Sequence, residues 1–230
     1  MNRTEEFLEL YKQLEEAAVS VYNFPEDGSA VRRLSGMKAF EGIKPELSFC
    51  REVRNLLQHR RKLSGQYAVE PSESMVQLLR RTLEKVKNPV TLRDIAIPIK
   101  NALWKSPSDS VERAMISMGE RGFTYVPILE RGVVAGVFGQ NTVFSYLLTH
   151  KEGITPELTF RDLRDYTGLA GRGSEVFLFL KPGMLKAEAE RLCENEYRNK
   201  KRVGLIFLTP GGARDARVSA VLTPWDILGT

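Results

Sequence analysis

The sequence predicts an α+β protein in two parts: an all-α domain of four helices over residues 1–89, then a twice-repeated strand-and-helix module over 90–230. Three observations predict it. Apolar residues recur with helical period through the first ninety residues. Beyond Val90 short β-rich runs alternate with amphipathic stretches. The order of those runs then repeats once, at about 90–150 and 151–230, and an internal repeat outweighs any single motif.

In the first part, Phe7, Leu10/Tyr11, Leu14, Ala17/Ala18 and Val21 form one stripe and predict a helix from Arg3 to Tyr22. The turn formers Asn23 to Gly28 end it. A shorter helix is expected over Ser29–Phe40. Pro45 suits the first turn of a third helix, which continues to about Leu63 with Leu47, Cys50, Val53, Leu57 and Leu63 inward. After Gly65 and Pro71, Ser72 or Ser74 is placed to cap a fourth, with Met75, Leu78/Leu79, Leu83 and Val86 as its apolar positions. Asn88-Pro89 closes the domain.

In the second part the expected strands are Phe123–Leu129, Val133–Phe138, Val176–Leu180, Val203–Leu208 and Val218–Leu222. Helices are expected at Ser110–Gly119, Thr142–Leu148, Leu185–Arg198 and Pro224–Leu228. Glu130-Arg131-Gly132 reads as a tight hairpin turn, with Thr209–Ala216 as its longer counterpart in the second copy.

Composition narrows the function classes. With 42% hydrophobic and 27% charged residues the chain has enough apolar surface for real cores. The net charge of +5 is spread along the chain, apart from Arg51, Arg54, Arg60, Arg61 and Lys62, which stand against the single acid Glu52. Two cysteines, Cys50 and Cys193, and two histidines, His59 and His150, supply neither a disulfide framework nor a zinc site, so no metal is expected. The acidic, amphipathic N-terminus does not read as a signal peptide, and no apolar run approaches the roughly 18–20 residues of a membrane span. A cytoplasmic protein with no membrane partner is expected.

The first copy, GFTYVPIL–ERG–VVAGVFGQNTVFSYLL, resembles a CBS repeat. The second, RVSAVLTPWDIL, is similar to that family's closing signature of an apolar strand, Thr or Ser, two variable residues, Asp and a short helix; here it is Thr223-Pro224-Trp225-Asp226. The resemblance covers about Val90 to Thr230 and implies a tandem pair of CBS β-α-β repeats. It further implies a regulatory module whose ligand is an adenine nucleotide: AMP, ADP, ATP or S-adenosylmethionine. No cofactor is required. In that reading Thr223 faces phosphate and Asp226 the ribose hydroxyls. Tyr125, Val126 and Pro127, with the strand-entry segment Ala102-Leu103-Trp104-Lys105, are the candidate cleft walls. The same Thr223 and Asp226, with Pro224 at the first helical position, also read as a helix N-cap. The first copy carries Gly139 and Thr142 where Thr/Ser and Asp are expected, so one working site per chain, or none, is expected rather than two.

The third helix contains Arg54-Asn55-Leu56-Leu57-Gln58-His59, which resembles the Arg-Asn…His signature of the HEPN superfamily, helical domains that include metal-independent ribonucleases. The resemblance covers about residues 1–88 and implies a homodimer in which two motifs line one cleft. Metal-free RNA cleavage needs a base for the 2′-hydroxyl and positive charge on the developing phosphorane. His59 could move the proton, Arg54 hold the phosphate and Asn55 orient the imidazole. Arg54 and His59 lie about 140° apart around one helix, so a single helix does not converge them. A solvated helix face accounts for the same residues. Two functions therefore stand: a nucleotide-controlled dimeric ribonuclease acting on RNA, and a non-catalytic module whose helical part dimerises or recruits a partner.

Overall fold

The computed structural model describes residues 2–59, 67, 69–151, 153–170 and 173–228, the side chain of His59 excepted. Arg60, Arg61, Lys62, Leu63 and Gly65, named above, lie outside the described residues. The chain divides into two compact units, Met1–Pro89 and Val90–Thr230.

In the first unit α1 (Arg3–Tyr22) begins at Asn2, whose side chain accepts the N–H of Glu5 while the Glu5 carboxylate accepts that of Asn2. Asn23, left-handed at φ 53°, ends it. The helix expected over Ser29–Phe40 is instead two pieces, α2 (Ala30–Leu34) and a 3-10 turn over Lys38–Ile43. The reason is local. The Ser35 hydroxyl bonds back to the Arg32 carbonyl at 2.8 Å, and Gly36 follows with little helical preference. The start of α2 is capped from a distance: the two Glu15 carboxylate oxygens accept the N–H groups of Ala30 and Val31. Helix α3 (Lys44–His59) carries Pro45 in its first turn. Helix α4 (Glu73–Lys87) starts at Ser72, whose hydroxyl accepts from Met75 N–H. Phe7, Leu14, Leu34, Phe40, Leu47, Cys50, Leu79 and Val86 form the buried interior.

The second unit begins with α5 (Leu92–Ile95) and β1 (Ile97–Pro98). Copy one then supplies α6 (Val111–Arg121), β2 (Tyr125–Glu130), β3 (Val133–Gly139) and α7 (Gln140–Thr149). The β2–β3 turn has Arg131 at φ 53° and Gly132 at φ 83°, the two positive angles that a two-residue hairpin loop demands. A connecting segment with the short α8 (Arg164–Thr167) leads to copy two: β4 (Glu175–Leu180), α9 (Lys186–Arg198), β5 (Arg202–Leu208), β6 (Ala220–Leu222) and α10 (Pro224–Leu228).

Copy two's sheet has the order β1-β6-β5-β4, so the unit's first strand joins the sheet of its last; copy one contributes the β2–β3 pair. The segment after β1 crosses to copy one, where Lys105 N–H donates to Pro127 and its carbonyl accepts from Leu129. Each sheet is covered by its own helices. Val126, Ile128 and Phe138 pack with Val111, Ala114 and Met118 of α6, while Ile206, Leu208 and Leu222 pack with Ala189, Cys193 and Ile227. A third cluster joins the copies, with Leu129, Val134 and Val137 from one and Phe177, Leu205, Phe207 and Val221 from the other. Burial pushes the thiols of Cys50 and Cys193 up to about 11, which suits them to packing rather than chemistry.

Candidate functional site

A cavity of about 630 Å3 opens between the two copies. One wall is the crossing segment, with Ile97, Asn101, Ala102 and Leu103; β2 adds Tyr125 and Pro127, β5 adds Arg202 to Leu205, and the end of β6 adds Val221 and Thr223. Trp225 stands at its rim, 80% exposed. The walls are mostly apolar with a few polar groups, the usual make-up of a small-molecule site.

Of the residues expected here, Thr223, Tyr125, Pro127, Ala102 and Leu103 line the cavity. Val126 does not: successive strand residues face opposite sides of a sheet, and Val126 is wholly buried in the core beneath α6 and α7. Trp104 and Lys105 are not among the lining residues either; Trp104 is exposed, and Lys105 contributes its backbone to β2. Asp226 is likewise absent from the lining. Its Oδ2 accepts the Thr223 N–H at 2.6 Å and the Thr223 hydroxyl at 2.8 Å, so the capping arrangement foreseen for this pair is formed. Arg202 was not foreseen. Its only sequence signal is a charge at the head of an apolar strand.

The corresponding place in copy one is narrowed by aromatic rings, with a smaller cavity of about 410 Å3 left beside Asn141, Thr142 and Glu175. The strand pairings set Phe138 opposite Val126 and Leu222 opposite Ile206, which makes Gly139 the counterpart of Thr223 and Thr142 that of Asp226. Gly139 N–H donates to Thr142 Oγ1 at 3.2 Å, and Thr142 is buried. The Tyr125 ring lies directly on Gly139, where an added Cβ would meet it at 2.9 Å. Phe177 meets the same ring edge-on, centroids 5.9 Å apart, and a Cβ on Gly204 would come within 2.8 Å of Phe177. The strand contacts of Lys105 with copy one's β2 and of Leu180 with copy two's β5 make Ala102 the counterpart of Phe177. A small residue thus opens one cleft where a large one closes the other.

A polar network surrounds the Tyr125 hydroxyl. It donates to Glu175 Oε1 at 2.9 Å, Asn141 donates to the same oxygen at 2.6 Å, and Arg202 Nη2 donates to it at 3.0 Å. Arg202 Nη2 also donates to the Tyr125 oxygen. The Glu175 side chain is 3% exposed and that of Arg202 is 64% exposed. Burial first, then the Glu175 hydrogen bond and charge, hold the Tyr125 phenol above its usual range, against the lowering pull of Arg202. The Tyr125 hydrogen bond is the main reason that Arg202 holds its proton still more tightly than usual.

In the helical unit a groove of about 860 Å3 runs along α1, and Arg54 and Gln58 of α3 line it. Its charges are mainly negative: Glu5, Glu9, Glu15, Glu16 and Glu26 against Lys12 and Arg54. Arg54 sits over the Tyr11 ring, 5.5 Å from its centroid, and its Nη1 donates to Asn55 Oδ1 at 3.1 Å. The Asn55 amide oxygen therefore serves Arg54. The imidazole of His59 lies outside the described residues. Among those residues no cluster of three or more His, Cys, Asp and Glu could hold a metal ion, and no helix is long and apolar enough to cross a membrane.

No family model matches the chain, and no curated protein matches it. Solved structures do. The CBS domain of a candidate transporter from Clostridium difficile 630 is 16% identical, with 62% of this chain and 93% of that one covered at a TM-score of 0.45. CBSX2 in complex with AMP is 17% identical, covering 60% and 93% at 0.43. A CBS domain-containing protein from Bacillus anthracis is 14% identical, covering 61% and 91% at 0.43.

Proposed function

We propose that residues 90–230 are a tandem CBS pair that takes up one adenine nucleotide in the cleft between its copies and serves as a regulatory module. The observation that carries this reading is the asymmetry of the two pseudo-equivalent clefts: one is open, apolar-walled and edged by Thr223, while the other is narrowed by Tyr125 and Phe177. Tyr125, Pro127, Ala102 and Leu103 flank the base, and Thr223 faces its polar end. Asp226 acts through Thr223, whose hydroxyl it holds in place. Calorimetry of the full chain with AMP, ADP, ATP and S-adenosylmethionine should give saturable heat for at least one, with one ligand per chain. No heat from any of the four would sink the reading. Asp226→Ala should weaken binding several-fold and cost about 1 kcal/mol of stability through the lost cap.

The helical unit is, in this reading, a non-catalytic module for self-association or recruitment. The acidic groove beside Arg54 carries the reading, because it repels a phosphate backbone that a ribonuclease must draw in. Pure protein in EDTA should leave unstructured RNA intact. Cleavage that His59→Ala abolishes would instead establish the ribonuclease. A homodimer is proposed on a separate observation in the second unit: α7 exposes Phe144, Leu147 and Leu148 at helical spacing, a surface that a second copy would cover. Sedimentation velocity should give a dimer, and a monomer at all concentrations would remove this part.

A further inference from the structure

Among the described residues that line the open cleft, Arg202 is the single charged one. It reaches the cavity from the head of β5, where Glu175 and the lining residue Tyr125 anchor it. Nη2 donates to both Glu175 and Tyr125. A guanidinium presents its donors in a rigid planar fork, so fixing one corner orients the others. The usual cost of ordering a long cation on binding is thereby met before a ligand arrives. The anchor is itself secure. Glu175 is almost wholly buried and also accepts from Asn141 and Tyr125, so the anchor itself is held in place.

We propose that Arg202 is the anion-reading residue of this cleft and that it fits the site to a nucleoside carrying one phosphate group. The assignment rests on the nucleotide reading of the cleft. With Nη2 committed to Glu175 and Tyr125, Nε and Nη1 are the donors left, enough to serve one phosphate group. Among the described residues no second lysine or arginine lines the cavity to receive a β- or γ-phosphate, so further phosphates extend past the guanidinium and add charge without a partner. The apolar walls take the base, and Arg202 separates AMP from adenosine. Glu175 is a positioning residue, acting on the ligand through Arg202 alone.

The test is calorimetry of the full-length chain with adenosine, AMP and ATP. Wild type should bind AMP about 10- to 100-fold more tightly than adenosine, the range expected for charge-assisted hydrogen bonds, with ATP no tighter than AMP. In Arg202→Ala the gap between AMP and adenosine should close while adenosine affinity stays unchanged, which shows that the walls are intact. Arg202→Lys should recover part of the gap, since it restores the charge without the fork. Glu175→Gln should narrow the gap without touching adenosine. If Arg202→Ala loses adenosine as well, the Lys variant decides: an AMP preference no smaller than wild type's there overturns the role of the fork. An unchanged AMP-to-adenosine ratio in Arg202→Ala overturns the assignment and leaves the nucleotide reading standing. If neither compound nor ATP binds wild type, the cleft reading itself fails. ATP binding much more tightly than AMP removes the single-phosphate claim.

Discussion

Ala102→Phe should abolish nucleotide uptake, lowering affinity at least 100-fold, while leaving the fold in place. The substitution gives the open cleft the ring that Phe177 already supplies to its counterpart. Ala102 packs against the cluster that joins the copies but is only partly buried and also lines the cavity, so about 630 Å3 of open space lies beside the new side chain. Overpacking normally costs about 1–3 kcal/mol, but that applies where the space is already filled. Urea midpoints within about 0.5 kcal/mol of wild type, together with calorimetry showing no binding, would bear this out. Retained affinity would mean that the ligand sits elsewhere on the chain.

The largest effect on stability is expected from Phe207→Ala. Phe207 is fully buried and lies against Phe179 with ring centroids 5.1 Å apart, in the cluster that joins the copies. Truncation of a buried phenylalanine costs about 3–5 kcal/mol, from lost burial and from the cavity left behind. Because this cluster draws residues from both β2–β3 and β4–β6, the two copies should lose stability together rather than one before the other. Denaturant unfolding followed by far-UV circular dichroism measures the loss. A cost below about 1 kcal/mol would mean that the copies are held mainly by their separate cores.

Much of this architecture is legible in the residues because the two periodicities differ so plainly. The stripe of Phe7, Leu10, Leu14 and Ala18 admits only a helix, and the β-rich runs Val133–Phe138 and Val203–Leu208 fall on the strands β3 and β5. The segment Ser29–Phe40 was harder, because a serine that bonds its own backbone and a following glycine stop a helix that the apolar spacing alone would continue. For the cleft, Tyr125 and Pro127 follow from family likeness, but strand alternation alone rules that Val126 cannot share their face. Gly139 reads in sequence as a missing hydroxyl. In the structure it is the seat of the Tyr125 ring, a pairing across two strands that no local pattern announces. Arg202 and Glu175 escape for the same reason, since the partnership spans 27 residues and joins strands that meet only in the folded sheet.

The ring that rests on Gly139 has a consequence for how a chain responds to concentration. With Tyr125 and Phe177 closing the base end of one of two related clefts, a chain in the proposed reading is a monovalent receptor for a ligand of the open cleft. Saturation by an isolated chain is then hyperbolic, and a Hill coefficient above one has to come from contacts between chains. Sensitivity steeper than simple mass action would therefore be a property of the assembly, tunable by protein concentration and erased by dilution.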